Sequence, residues 1–124
     1  MLSSLTVSAM RNTRRSGSTI LDQARTANRH LTEQFAHEEF VTGLLLQIDV
    51  LTGQGFIVNA GHPPPLLLRE EAVSIVNLFP DTPLGLSADT DYQLQAHPTL
   101  IVFHRILTKV QARPRAVMNG LRWC

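Results

Sequence analysis

Apolar residues recur every three or four positions through the first third of the chain, and every second position through most of the remainder. Leu2, Leu5, Ala9 and Met10 share one side of a helix predicted over residues 2–15. Arg11, Arg14 and Arg15 cluster toward its C-terminal end, where the helix dipole favours cations. Gly17 is a natural stop for that helix. Ser18 is placed to cap a second one, with Asp22 one position late for a strict capping box. Ile20, Ala24, Ala27, Leu31 and Phe35 form the stripe by which this second helix would lie on a core.

From Phe40 to Val50 the period changes to two. Phe40, Leu44, Leu46, Ile48 and Val50 fall on one face, while Leu45 on the other predicts burial on both sides. Residues 51–54 read as a hairpin turn in which Gly53 supplies a positive φ. A second strand follows over about 54–59, with Phe56 and Val58 opposed to Ile57. Asn59, Ala60, Gly61 and His62 then make a polar corner. Pro63, Pro64 and Pro65 remove three backbone donors and fix φ, so the chain must leave that corner extended.

Leu66 to Arg69 and Val73 to Leu78 predict another hairpin, turned at Glu70 and Glu71, before a proline-rich loop over 79–85. Tyr92, Leu94 and Ala96 alternate with Gln93, Gln95 and His97 in a half-exposed strand, and Leu100 to Phe103 make the last clear one. Beyond His104 the periodicity fails, Pro114 breaks any long helix, and the final residues have no defensible pattern. Two helices followed by a row of antiparallel strands is a compact α+β arrangement.

Composition supports one globular domain: 124 residues, 44% hydrophobic and 17% charged, the last below the usual figure of about a quarter. Cys124 is the lone cysteine, so no internal disulfide can form and a reducing, cytoplasmic setting is expected. The charges near the start follow the apolar stretch, the reverse of a secretory signal. No run approaches the roughly 18 apolar residues of a spanning helix, and no membrane partner is expected.

The net charge of +1 conceals a segregation. Arginines predominate in the first third. Arg69 is the only Lys or Arg from Phe35 to His104, against Glu38, Glu39, Asp49, Glu70, Glu71, Asp81, Asp89 and Asp91. Residues 105–124 carry Arg105, Lys109, Arg113, Arg115 and Arg122 with no acid. A basic tail can touch phosphates. Trp123 is its only aromatic, a poor stacking platform, and nucleic acid is not the expected partner.

Candidate chemistry concentrates in the corner. His62 could serve as a general base, a metal ligand or a hydrogen-bonder that holds the turn, but no acid or nucleophile partner follows from spacing. Asn59 suits a bond to neighbouring backbone, and Gly61 suits an unusual φ or a close approach. Asp89 and Asp91 read as a solvated loop, Asp49 as a residue at a hairpin turn, and Asp81 as a cap on the following Thr-Pro-Leu-Gly loop. His30, His37, His97 and His104 have no metal-like spacing. There is no phosphate-cradling glycine loop, nucleophile elbow or His-Glu-x-x-His.

In order, SSLTVSAMRNTRRSGSTILDQARTANRHL, FVTGLLLQIDVLTGQGFIVNAGHPPPLLLR, TPLGL and LIVFHRILT resemble segments of the SpoIIE/RsbU-type branch of the PP2C-like metal-dependent protein phosphatases. The resemblance covers residues 2–104, and its most specific phrase is Asp49 through the Asn-Ala-Gly-His corner to Arg69. It implies a partial α-β-β-α sandwich over 1–104, with 105–124 a basic tail that is foreign in frame or disordered. It also implies that Asn59, Gly61, His62 and Gly85 support an active-site face.

Intact relatives use Mn²⁺ or Mg²⁺ to activate water against phosphoserine or phosphothreonine, on a phosphoprotein such as an anti-sigma-factor antagonist. Ions of this kind lower the pKa of water and neutralise phosphoryl oxygens, and they depend on carboxylates. This sequence departs from the family there. The first acidic motif, an Asp followed by Gly-His-Gly, would precede residue 1. The later Tyr-Thr-Asp-Gly aligns with Phe103, His104, Arg105 and Ile106, placing Arg105 at a metal aspartate, and no acid in the tail can supply the last ligand.

No catalytic residue, metal ligand or bound cofactor is therefore expected in this chain, which would be inactive alone. Three readings remain: a fragment or frame-shifted form of such a phosphatase, a non-catalytic protein-binding module of a sigma-factor partner-switching pathway, and a separate small binding module. A missing sheet edge would also leave sheet surface exposed, and self-association is expected from it.

Overall fold

The computed structural model describes residues 2–36, 38–69, 71–98 and 118–122. Two helices, α1 (Leu2–Arg15) and α2 (Ile20–Phe35), precede six strands: β1 (Gly43–Ile48), β2 (Gly55–Ala60), β3 (Leu66–Arg69), β4 (Ala72–Ile75), β5 (Gln95–His97) and β6 (Met118–Arg122). The fold is α+β, two N-terminal helices followed by antiparallel sheet. No helix among the described residues is long and apolar enough to cross a membrane.

The cap of α2 lies one residue later than the sequence pattern suggests. Thr19, not Ser18, is the N-cap, and this brings Asp22 into register for a full capping box. The Asp22 amide donates to Thr19 Oγ1 at 3.1 Å, and the Thr19 amide and hydroxyl donate back to Asp22 Oδ2 at 3.2 and 2.7 Å. These bonds hold the Asp22 carboxyl below its ordinary value. At the other end Ala36 takes the left-handed conformation (φ 47°), its amide donating to Thr32.

In α1 the buried positions are Thr6 and Met10, while Leu5 is exposed. The helix is rotated from its expected orientation because Thr6 can turn inward, its hydroxyl donating to the Leu2 carbonyl at 2.9 Å.

Strands β5, β2, β1 and β6 form one antiparallel sheet in that order, and β3–β4 a separate hairpin. The β1–β2 register pairs Leu45 with Val58 and Leu46 with Ile57. Their turn is built on Asp49, whose Oδ1 accepts from the Leu51 amide at 2.9 Å and whose carbonyl accepts from Gly53 at 2.8 Å. Strand β6, which no periodicity singles out, pairs along β1 from Leu44↔Arg122 to Ile48↔Met118.

Burial on both faces of β1 follows from two cores. Leu45, Val58 and Ala60 pack with Ile20, Ala24, Ala27 and Leu31 under the helices, and Phe35 lies at that core's margin. Leu44 and Ile57 pack with Val76, flanked by Leu46, Leu67 and Leu78, on the side of the hairpin. Helices, four-stranded sheet and hairpin are thus successive layers.

Two expectations from alternation fail. Phe40 is exposed rather than part of the core face, the strand proper starting only at Gly43. Strand β5 is confined to Gln95–His97, with Leu94 and Ala96 exposed and Gln95 and His97 half-buried. The reason is the Gln95 side chain. Its Oε1 accepts from the Phe79 amide at 2.7 Å and its Nε2 donates to the Phe79 carbonyl at 2.8 Å, which turns that side of the strand toward the preceding loop. The strand expected over 100–103 lies outside the described residues.

Candidate functional site

The corner after β2 closes on itself through Asn59. Its Oδ1 accepts from the His62 amide at 2.7 Å and its Nδ2 donates to the His62 carbonyl at 3.0 Å, so one buried side chain satisfies both backbone groups of His62. Gly61, between them, has φ 65°. A Cβ there would meet Pro83 Cγ at 2.6 Å, a separation no side chain tolerates. The Asn59 carbonyl accepts from the Asp81 amide at 2.9 Å. The corner and the loop beginning at Asp81 are therefore packed against each other.

Gly85 completes that loop. Its φ is 91°, and a Cβ there would lie 2.9 Å from the Glu39 carbonyl oxygen and 3.0 Å from Leu31 Cβ. Reciprocal bonds of 2.8 Å between Val41 and Leu84 pin the loop to the strand entering β1. From α2, Asn28 reaches across with Oδ1 accepting from the Gly85 amide and Nδ2 donating to the Ser87 carbonyl, both at 2.8 Å. His62 is buried, with Nδ1 3.2 Å from Thr42 Oγ1.

Asn59, Gly61, His62 and Gly85 are thus brought into one hydrogen-bonded frame. Sequence reasoning missed two of its members, Asn28 and Thr42. The available signal for Asn28 was an amide beside Ala27 on the apolar stripe of α2, where a buried polar group requires partners. Thr42 carried no such signal.

Four aspartates are each engaged in structural bonds. Asp22 caps α2 and Asp49 holds its turn. Asp81 accepts at Oδ2 from the Gln93 amide at 2.8 Å rather than capping the Thr-Pro-Leu-Gly loop, because its own amide is drawn to Asn59. Asp91 pairs with Arg25 at 3.1 Å in an exposed bridge worth at most about 1 kcal/mol. Among the described residues no three His, Cys, Asp or Glu side chains are grouped to hold a metal ion. The described donors therefore do not fit the paired divalent ions that the resemblance implies, and no step can be routed through them. His37, His104, Arg105 and the rest of the tail apart from Met118–Arg122 lie outside the described residues.

Fold and frame together define an α+β scaffold in which two loops and a helix amide buttress one another, with no metal-holding cluster of side chains among the described residues. The chain belongs to the SpoIIE family: the family model described as Stage II sporulation protein E (SpoIIE) matches residues 1–100, from α1 through β5. No curated protein and no solved structure matches it.

Proposed function

We propose that this chain is a degenerate, non-catalytic form of a SpoIIE-type, PP2C-related phosphatase domain, inactive alone toward phosphoserine and phosphothreonine. The SpoIIE-like part would span residues 1–104, with 105–124 a basic tail that adds β6 to the sheet. Asn59, Gly61, His62 and Gly85 would be support for an active-site face rather than participants in chemistry. What carries the reading is the contrast between a fully bonded frame and dispersed carboxylates: Asn28 and Asn59 satisfy the loop backbone, while Asp22, Asp49 and Asp91 are engaged away from it and the Asp81 carboxylate is taken up by the Gln93 amide. Arg105 at the aligned metal aspartate supports the same reading from sequence, since a cation would repel the ions.

The test is direct. The purified chain is titrated with Mn²⁺ by calorimetry and assayed on a phosphoserine peptide with Mn²⁺ or Mg²⁺ present. Neither micromolar binding nor turnover is expected. Manganese-dependent hydrolysis that rises in proportion to protein would overturn the proposal.

A further inference from the structure

Strand β1 is buried on both faces, Leu45 lying in the core under the helices and Leu44 in the core beside the hairpin. Its residues, Gly43–Ile48, include no charge and no proline. A strand of that composition pairs with other chains when its edge is open, and β1 has no bulky charge of its own to prevent it. One side of β1 is taken by β2 and the other by β6. The family match ends at residue 100, and among the described residues no strand of the matched part lies on that second side.

We propose that the outer edge of β1 is a docking groove for one extended strand, filled by this chain's own Met118–Arg122, which guards it against pairing with a second copy. The register is unbroken from Leu44↔Arg122 to Ile48↔Met118, so the backbone groups that β1 turns away from β2 find partners within the chain. Tethering selects this occupant. A covalently linked strand acts at an effective concentration of roughly millimolar, above that of a second copy in a micromolar solution.

The guard does not recreate the hazard it removes. Strand β6 is five residues long and ends on Arg122, and Arg113, Pro114 and Arg115 precede it in sequence. Shortness, positive charge and proline are the devices that keep an edge strand from pairing further. The acid-free composition of residues 105–124 thus suits an edge, because two such tails repel each other. The device does not depend on whether the chain is catalytic.

Backbone hydrogen exchange of the full chain tests the docking. Amides of Leu44 to Ile48 that face β6 should exchange at least about tenfold more slowly than unpaired ones. Asn119→Pro and Gly120→Pro are then combined in the full chain. Consecutive amides of a strand point to opposite sides, so one of the two donors removed faces β1. The variant should lose this protection while the amides facing β2 keep theirs. In sedimentation equilibrium its mass should rise above 13.8 kDa with concentration, where the parent's does not, and a peptide of residues 115–123 should reverse the rise. Fast exchange on that side of β1 in the parent, a folded variant that associates no more than the parent, or a rise that the peptide leaves unchanged would each overturn the proposal. Unfolding of the variant would do so too, because a guard must be separable from the fold it protects.

Discussion

The Asn28 side chain, on the buried face of α2, holds the Gly85 amide at 2.8 Å across a gap of 57 residues in sequence. With its second bond to the Ser87 carbonyl, it couples the helix layer to the loop that packs on the Asn59–His62 corner. One amide thereby ties the frame to α2.

Replacing Asn28 should cost more than a surface polar substitution. Asn28→Ala leaves the buried Gly85 amide without an acceptor, and a loss of about 3 kcal/mol is expected. Asn28→Asp keeps that acceptor but turns an oxygen toward the Ser87 carbonyl, so it should not restore stability. Urea unfolding monitored by circular dichroism measures both.

Gly85 and Gly17 separate backbone conformation from crowding. Both have positive φ, 91° and 81°. A Cβ at Gly85 runs into the Glu39 carbonyl and Leu31, whereas one at Gly17 meets nothing within 4 Å. Gly17→Ala should cost about 1 kcal/mol for the left-handed conformation alone. Gly85→Ala should cost about 3 kcal/mol, because displacement of α2 adds to it. Equal losses for the two would show that the contact at Gly85 yields easily.

Tyr92, the only tyrosine, reports on the helix-side core. Burial raises its phenol well above 10.0, partly offset by the Thr90 side chain and reinforced by the charge of Asp81. The hydroxyl makes no hydrogen bond of good geometry. Above pH 10 the unfolded chain loses a proton that the folded one retains, so stability falls as pH rises through that range. Phenolate absorbance should appear together with unfolding rather than before it. Tyr92→Phe should be within about 0.5 kcal/mol of the parent at neutral pH and should lose less stability in alkali.

The sequence alone determined the helices, the β1–β2 hairpin and the family, because the three-to-four and two-residue periods, Gly53 at the turn and the Asn-Ala-Gly-His-Pro-Pro-Pro phrase are local signals. It also marked Asn59, Gly61 and His62 as a polar corner, and Gly85 through the family resemblance. Tertiary structure decided what depends on partners distant in sequence. Gln95 binds Phe79 and so restricts β5, Met118–Arg122 completes a sheet without showing alternation, and Asn28 joins α2 to Gly85. In each case a polar group or an unpatterned strand is held by a bond whose other end no neighbouring residue announces, and only the folded chain brings the two ends together.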